Sequence, residues 1–187
     1  MSQPTTQEQK IMNGVNVSQM KETIEAVTQQ PELAGFKFRA NNQWQDGGHN
    51  KVKIDGYYGT CQEIPRQKGF EFDADEPPAL LGNDKGANPA EYLLTALSSC
   101  MTTSLVYHAA AQGIEVESIE SEYEGDINLQ GFLNLNPKVR KGYEEIRVKF
   151  KVKSNADKEK LNELVQNSPI FDVVRNPTPI KVEFVTQ

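Results

Sequence analysis

The chain has 187 residues, 37% of them hydrophobic, and a formal charge of −6, enough for one good-sized core without cross-links. The acidic balance argues against nucleic acid or an anionic membrane as the main partner, and no run approaches the roughly 18 consecutive apolar residues of a membrane span. Cys61 and Cys100 make no disulfide framework, and with His49 and His108 they show no metal-ligand spacing. Reduced thiols in a cytoplasmic protein without metal or cofactor are therefore expected, and the polar start carries no apolar signal core.

Residues 1–15, rich in Gln, Thr and Ser, read as a disordered tail; residues 16–187 read as a single domain. Val17, Met20, Ile24 and Val27 mark an added amphipathic helix over about 16–30, ended near Pro31. Phe36, Phe38 and Ala40 alternate with polar neighbours as in a strand, and Asp46-Gly47-Gly48 turns the chain toward a return strand from Val52. Further strands are expected around Thr60–Ile64 and Phe70–Phe72, followed by a Pro- and Gly-rich loop over residues 76–87.

The most informative segment is the long apolar helix from Asn88 to about Ala111. Asn88 is its N-cap, Pro89 its first residue, Glu91 the acid three residues past the cap, and Gly113 its stop. Leu93, Leu97, Cys100, Ser104, Tyr107 and Ala111 recur at helical spacing, which places Cys100 on an inward stripe. Beyond it come a long strand from Val116, an irregular excursion over 131–144 with Phe132, Leu133 and Leu135, and a half-buried strand alternating Ile146, Val148, Phe150 and Val152. An amphipathic helix over 157–166, a further turn at 169–174 and a last strand through Ile180, Val182 and Phe184 complete an α+β pattern with mostly antiparallel pairing.

The order of elements, and Asn88-Pro89 followed by Cys100 twelve residues after the Asn, resemble the OsmC/Ohr family of osmotically inducible and organic hydroperoxide resistance proteins. The resemblance runs from about Phe36 to the carboxyl end. It implies antiparallel sheets packed on a long central helix, an intertwined homodimer with strands exchanged between chains, and thiol-dependent reduction of organic hydroperoxides in the oxidative stress response. A mid-helix thiolate that attacks a peroxide needs a cation to lower its pKa, an acid to hold that cation, and apolar walls for the alkyl part.

This chain departs from the family pattern at three positions. The resolving cysteine before a proline is Ser168, the catalytic glutamate slot is Ala90 with Glu91 beside it, and the family's Gly-Gly-Arg turn reads Gly47-Gly48-His49. Glu91, His49 and Arg39 are the candidate substitutes around Cys100. Glu91 lies nine residues from Cys100, about 13 Å of helix rise and some two and a half turns, so the two can meet only across a pair of helices.

Each residue has a plainer reading: Cys100 as core filler, Glu91 as a capping acid, Ser168 as an N-cap, Arg39 and His49 as surface groups. Two accounts follow. In the first, the protein is a one-cysteine peroxidase regenerated by an external thiol. In the alternative, it is a non-catalytic protein of the same fold, holding a small apolar ligand in the dimer groove.

Overall fold

The computed structural model describes residues 9–186; of the tail expected over residues 1–15, residues 1–8 lie outside the described residues. The rest of that segment is not a tail. Strands β1 (Ile11–Met12) and β2 (Val15–Asn16) form a tight hairpin whose turn residues Asn13 and Gly14 have φ of 51° and 77°. Two successive left-handed residues are what a twisted two-residue turn requires, and Asn and Gly tolerate them. Helix α1 (Val17–Gln29) follows directly, with the Asn16 side chain accepting the Gln19 amide as its cap. Val17 is buried at its start, while Ile24 on the later turns is exposed.

The chain divides into two compact units, one ending at Leu93 and the other beginning at Leu94. The boundary falls inside the long helix α2 (Pro89–Ala111).

The first unit is built on a three-stranded antiparallel sheet in the order β3 (Asn41–Asp46), β4 (His49–Ile54), β7 (Phe70–Ala74). Its register sets Val52 opposite Phe72 and Ile54 opposite Phe70, so one face is apolar. Lys53 and Glu71 pair on the other face at 2.9 Å. A smaller hairpin, β5 (Tyr57–Gly59) and β6 (Gln62–Ile64), turns through Thr60 and Cys61, both with positive φ. Cys61 is thus an exposed turn residue, not the strand residue expected. The strand expected over Phe36–Ala40 reduces to one antiparallel bridge, Lys37 to Tyr58, because β5 is only three residues long.

The second unit packs two strands and two helices on α2. β8 (Val116–Asp126) and β9 (Glu145–Ser154) run antiparallel along their whole length. Ile119, Tyr123, Phe150 and Val152 turn one face onto Leu97, Met101 and Leu105 of α2, joined there by Val165. The opposite face carries ion pairs Glu120–Lys151 at 3.1 Å and Glu122–Lys149 at 3.6 Å, the alternation expected of a half-buried ribbon. The connection between β8 and β9 contains a single helical turn, α3 (Leu129–Phe132), and leaves Phe132, Leu133 and Leu135 exposed. Helices α4 (Lys158–Val165) and α5 (Pro169–Arg175) follow, with Leu164 fully buried.

Two expectations are corrected here. The buried stripe of α2 is Leu97, Met101, Ser104, Leu105 and Ala109, whereas Leu93 and Tyr107 are 38% and 53% exposed. Leu97 and Ser104 of the expected set are buried, but the stripe is centred nearer Met101, because Met101, Leu105 and Ala109 form an equally regular run beside them. The last strand is also absent: residues 176–186 form no ladder, and Ile180, Val182 and Phe184 stand exposed. Their alternation is real, but a strand needs a neighbour, and within the described residues this segment has none.

Candidate functional site

The Asn88 cap and Pro89 start α2 as the sequence indicates. The Asn88 side chain accepts the Glu91 amide at 2.8 Å, and the Glu91 carboxylate accepts the Asn88 amide at 2.8 Å. This reciprocal capping box fixes the helix start and so the position of everything on it. Gly113, at φ 75°, closes the other end in the left-handed conformation that a β-carbon disfavours.

Cys100 is a free thiol and half-buried. Helical geometry places it about 100° around α2 from the middle of the buried stripe, on the same flank as Leu93, Ala96 and Tyr107. It therefore stands at the margin of its own core, next to a face of α2 on which Leu93 and Tyr107 are exposed.

The candidate cations lie in the first unit, and each is already held by an acid. Arg39 makes a two-point ion pair with Glu63, Nη1 to Oε2 at 2.8 Å and Nη2 to Oε1 at 2.7 Å. This hydrogen bonding, with the opposed charges, raises the guanidinium above its ordinary value and holds the Glu63 carboxyl below the usual carboxylate range. The pair borders a cavity of about 520 Å³, also lined by Asn41, Asp55 and Ile64. Glu63 is the acid that sequence reasoning missed. It lies 24 residues from Arg39, and no local pattern marks the partnership.

His49 is not an exposed turn residue. It is 8% exposed at the start of β4, and its Nε2 lies 2.7 Å from Asp73 Oδ1 on β7. That hydrogen bond holds the Asp73 carboxyl below the ordinary range. The neighbouring Asp75 is 1% exposed and accepts the backbone amides of Glu76, Asn83 and Lys85 at 2.8, 3.1 and 3.3 Å. Burial works to raise its carboxyl, but the three amides outweigh burial and hold it low. Tyr92, on the first turn of α2, donates to the Asp73 carbonyl at 2.7 Å. His49 thus belongs to a polar knot that ties β4, β7 and the loop over 76–85 to the start of α2.

Ser168 is 1% exposed, and its Oγ accepts the Phe171 amide as the cap of α5 at 3.1 Å. The position that would carry a resolving thiol is a buried helix cap. Among the described residues no three His, Cys, Asp or Glu side chains gather as metal ligands, and no helix is long and apolar enough to cross a membrane.

Comparison with known proteins agrees with this architecture. The fold is shared with an OsmC-like protein from Mycoplasma pneumoniae, at a TM-score of 0.55 and 17% identity, covering 75% of this chain and 89% of that one. It is shared likewise with an OsmC-like protein of unknown function from Vibrio cholerae, at 0.53 and 18% identity, covering 72% and 90%. No curated protein sequence matches significantly. The sequence pattern described as OsmC-like protein matches residues 82–183, which takes in all of α2 and nearly all of the second unit. The chain belongs to the OsmC-like protein family.

Proposed function

We propose that the protein reduces organic hydroperoxides through Cys100 by a one-cysteine, thiol-dependent mechanism, as a cytoplasmic homodimer in the oxidative stress response. The observation that carries this reading is the place of Cys100: a free thiol, half-buried, on the flank of α2 at the margin of its own core. Two free cysteines suit a reducing compartment.

The chemistry requires little machinery. The Cys100 thiolate attacks the terminal oxygen of the hydroperoxide, the O–O bond breaks, and the departing alkoxide takes a proton to leave as the alcohol. Cys100 is left as a sulfenic acid. With Ser168 in place of a resolving thiol, an external dithiol condenses with the sulfenic acid, releasing water. Its second thiol then displaces Cys100 and restores it. Arg39, held in a two-point grip by Glu63, is the cation proposed for Cys100, with Glu91 and His49 as the further side chains proposed for the site. Because Glu91 and Cys100 lie about two and a half turns apart on one helix, the Glu91 that approaches a given thiol belongs to a second copy.

Three features support the homodimer: the open flank of α2 beside Cys100, the alternating Ile180, Val182 and Phe184 without a strand partner, and a cleft of about 470 Å³ between β9 and α4 lined by Phe150, Val152 and Leu161. A strand supplied by a second copy would satisfy the backbone and bury the apolar side chains together.

Steady-state turnover of cumene or tert-butyl hydroperoxide with a dithiol reductant tests the proposal. Turnover abolished in Cys100→Ser supports it; turnover no better than that variant's removes it. The non-catalytic alternative draws on Ser168, whose hydroxyl cannot form a disulfide and which serves instead as a buried helix cap.

A further inference from the structure

We propose that the aromatic surface formed by Phe36, Phe38, Tyr57 and Phe70 binds an amphipathic carboxylate, its apolar part on the rings and its carboxylate on Arg66. The bridge between Lys37 and Tyr58 turns those two side chains to one side, so Phe36, Phe38 and Tyr57 share the other. Their ring centroids lie 5.8–6.3 Å from one another. Gly59 makes this possible, since a β-carbon there would sit 2.4 Å from the Phe36 ring. Phe38 is 74% exposed and Phe36 48%, so these stacked rings present a continuous aromatic surface.

Arg66 supplies the polar end. Its guanidinium carbon stands 5.3 Å from the Tyr57 centroid and 5.0 Å from that of Phe70, and its Nε donates to the Asp55 carbonyl at 2.8 Å. The fork is thereby oriented by two rings and one hydrogen bond, yet no ion pair joins it to a carboxylate among the described residues. Arg39 shows the contrast: both its terminal nitrogens are already bound to Glu63. An oriented, uncompensated guanidinium beside exposed rings matches a ligand that carries one carboxylate on an apolar chain or ring. A purely apolar cover would bury the Arg66 charge without a partner, which is costly.

Titration calorimetry of the full chain with decanoate, kept below its micelle concentration, tests this without any peroxide and so separately from the redox proposal. Saturable binding is expected, weakened at least about tenfold in Arg66→Gln, less in Arg66→Lys, and markedly in Phe38→Ser. Lys53→Gln, on the polar face of the neighbouring sheet, should bind as the wild type does. Decanoate binding unchanged in Arg66→Gln, or 1-decanol binding as tightly as decanoate, overturns the assignment of Arg66. No uptake by folded wild-type protein overturns the site, as would be found if a second copy already covers these rings.

Discussion

His49 on β4 and Asp73 on β7 meet at 2.7 Å across two strands, beside an Asp75 carboxylate that holds three backbone amides. The pair and its neighbour contribute to how the first unit responds to acid. Asp73 and Asp75 both have folded-state pKa values below the ordinary one. A carboxyl depressed on folding adds stability above its unfolded pKa of about 3.9, and that stability is lost as the pH falls through the depressed value. The urea midpoint should therefore drop on acidification below about pH 4. Asp75→Asn should flatten the drop and lower the midpoint at neutral pH, since an amide is a poorer acceptor for three N–H groups. An unchanged acid profile in that variant would contradict the assignment.

Glu63→Gln removes the carboxylate that orients Arg39. Under the proposed mechanism, hydroperoxide kcat/KM should fall about tenfold or more, and the alkylation of Cys100 by iodoacetamide should shift to higher pH. Arg39→Gln should reproduce both effects, and the double variant should add little, because the pair acts as a unit. Additive losses would show that Glu63 acts independently of Arg39.

Leu105 is fully buried beneath β9, so Leu105→Ala should destabilise the second unit by about 3 kcal/mol. Ser168→Ala loses a buried helix cap and should cost about 1 kcal/mol. Denaturant unfolding followed by circular dichroism measures both, and a Ser168→Ala variant of full stability would refute the capping role.

Removing residues 178–187 deletes the alternating apolar segment without touching α5. If that segment is exchanged between copies, analytical ultracentrifugation should show the dimer weakened or lost, and hydroperoxide turnover should fall with it. A truncated chain that remains fully dimeric would assign the segment another role.

Much of the architecture is written in short-range patterns. The capping box at Asn88 and Glu91, the alternation of Ile146 through Val152 and the helical spacing after Asp157 depend on residues within a few positions of one another, and the structure contains all three. The centre of the buried stripe on α2 was less legible, because overlapping sets that share Leu97 satisfy the same period and only packing on β8 and β9 selects between them. Local alternation likewise suggested a strand at Ile180–Phe184, although a strand exists only where a neighbour supplies hydrogen bonds.

By itself the sequence determined the class of fold, the helix that carries Cys100 and the absence of a cysteine at position 168, since each is a matter of composition or of spacing along the chain. Tertiary structure decided the rest: that Glu63 holds Arg39, that His49 is turned inward onto Asp73, and that Arg66 is oriented by Tyr57, Phe70 and the Asp55 carbonyl. Those relations join residues many positions apart, and contacts between distant segments are settled by strand register and burial.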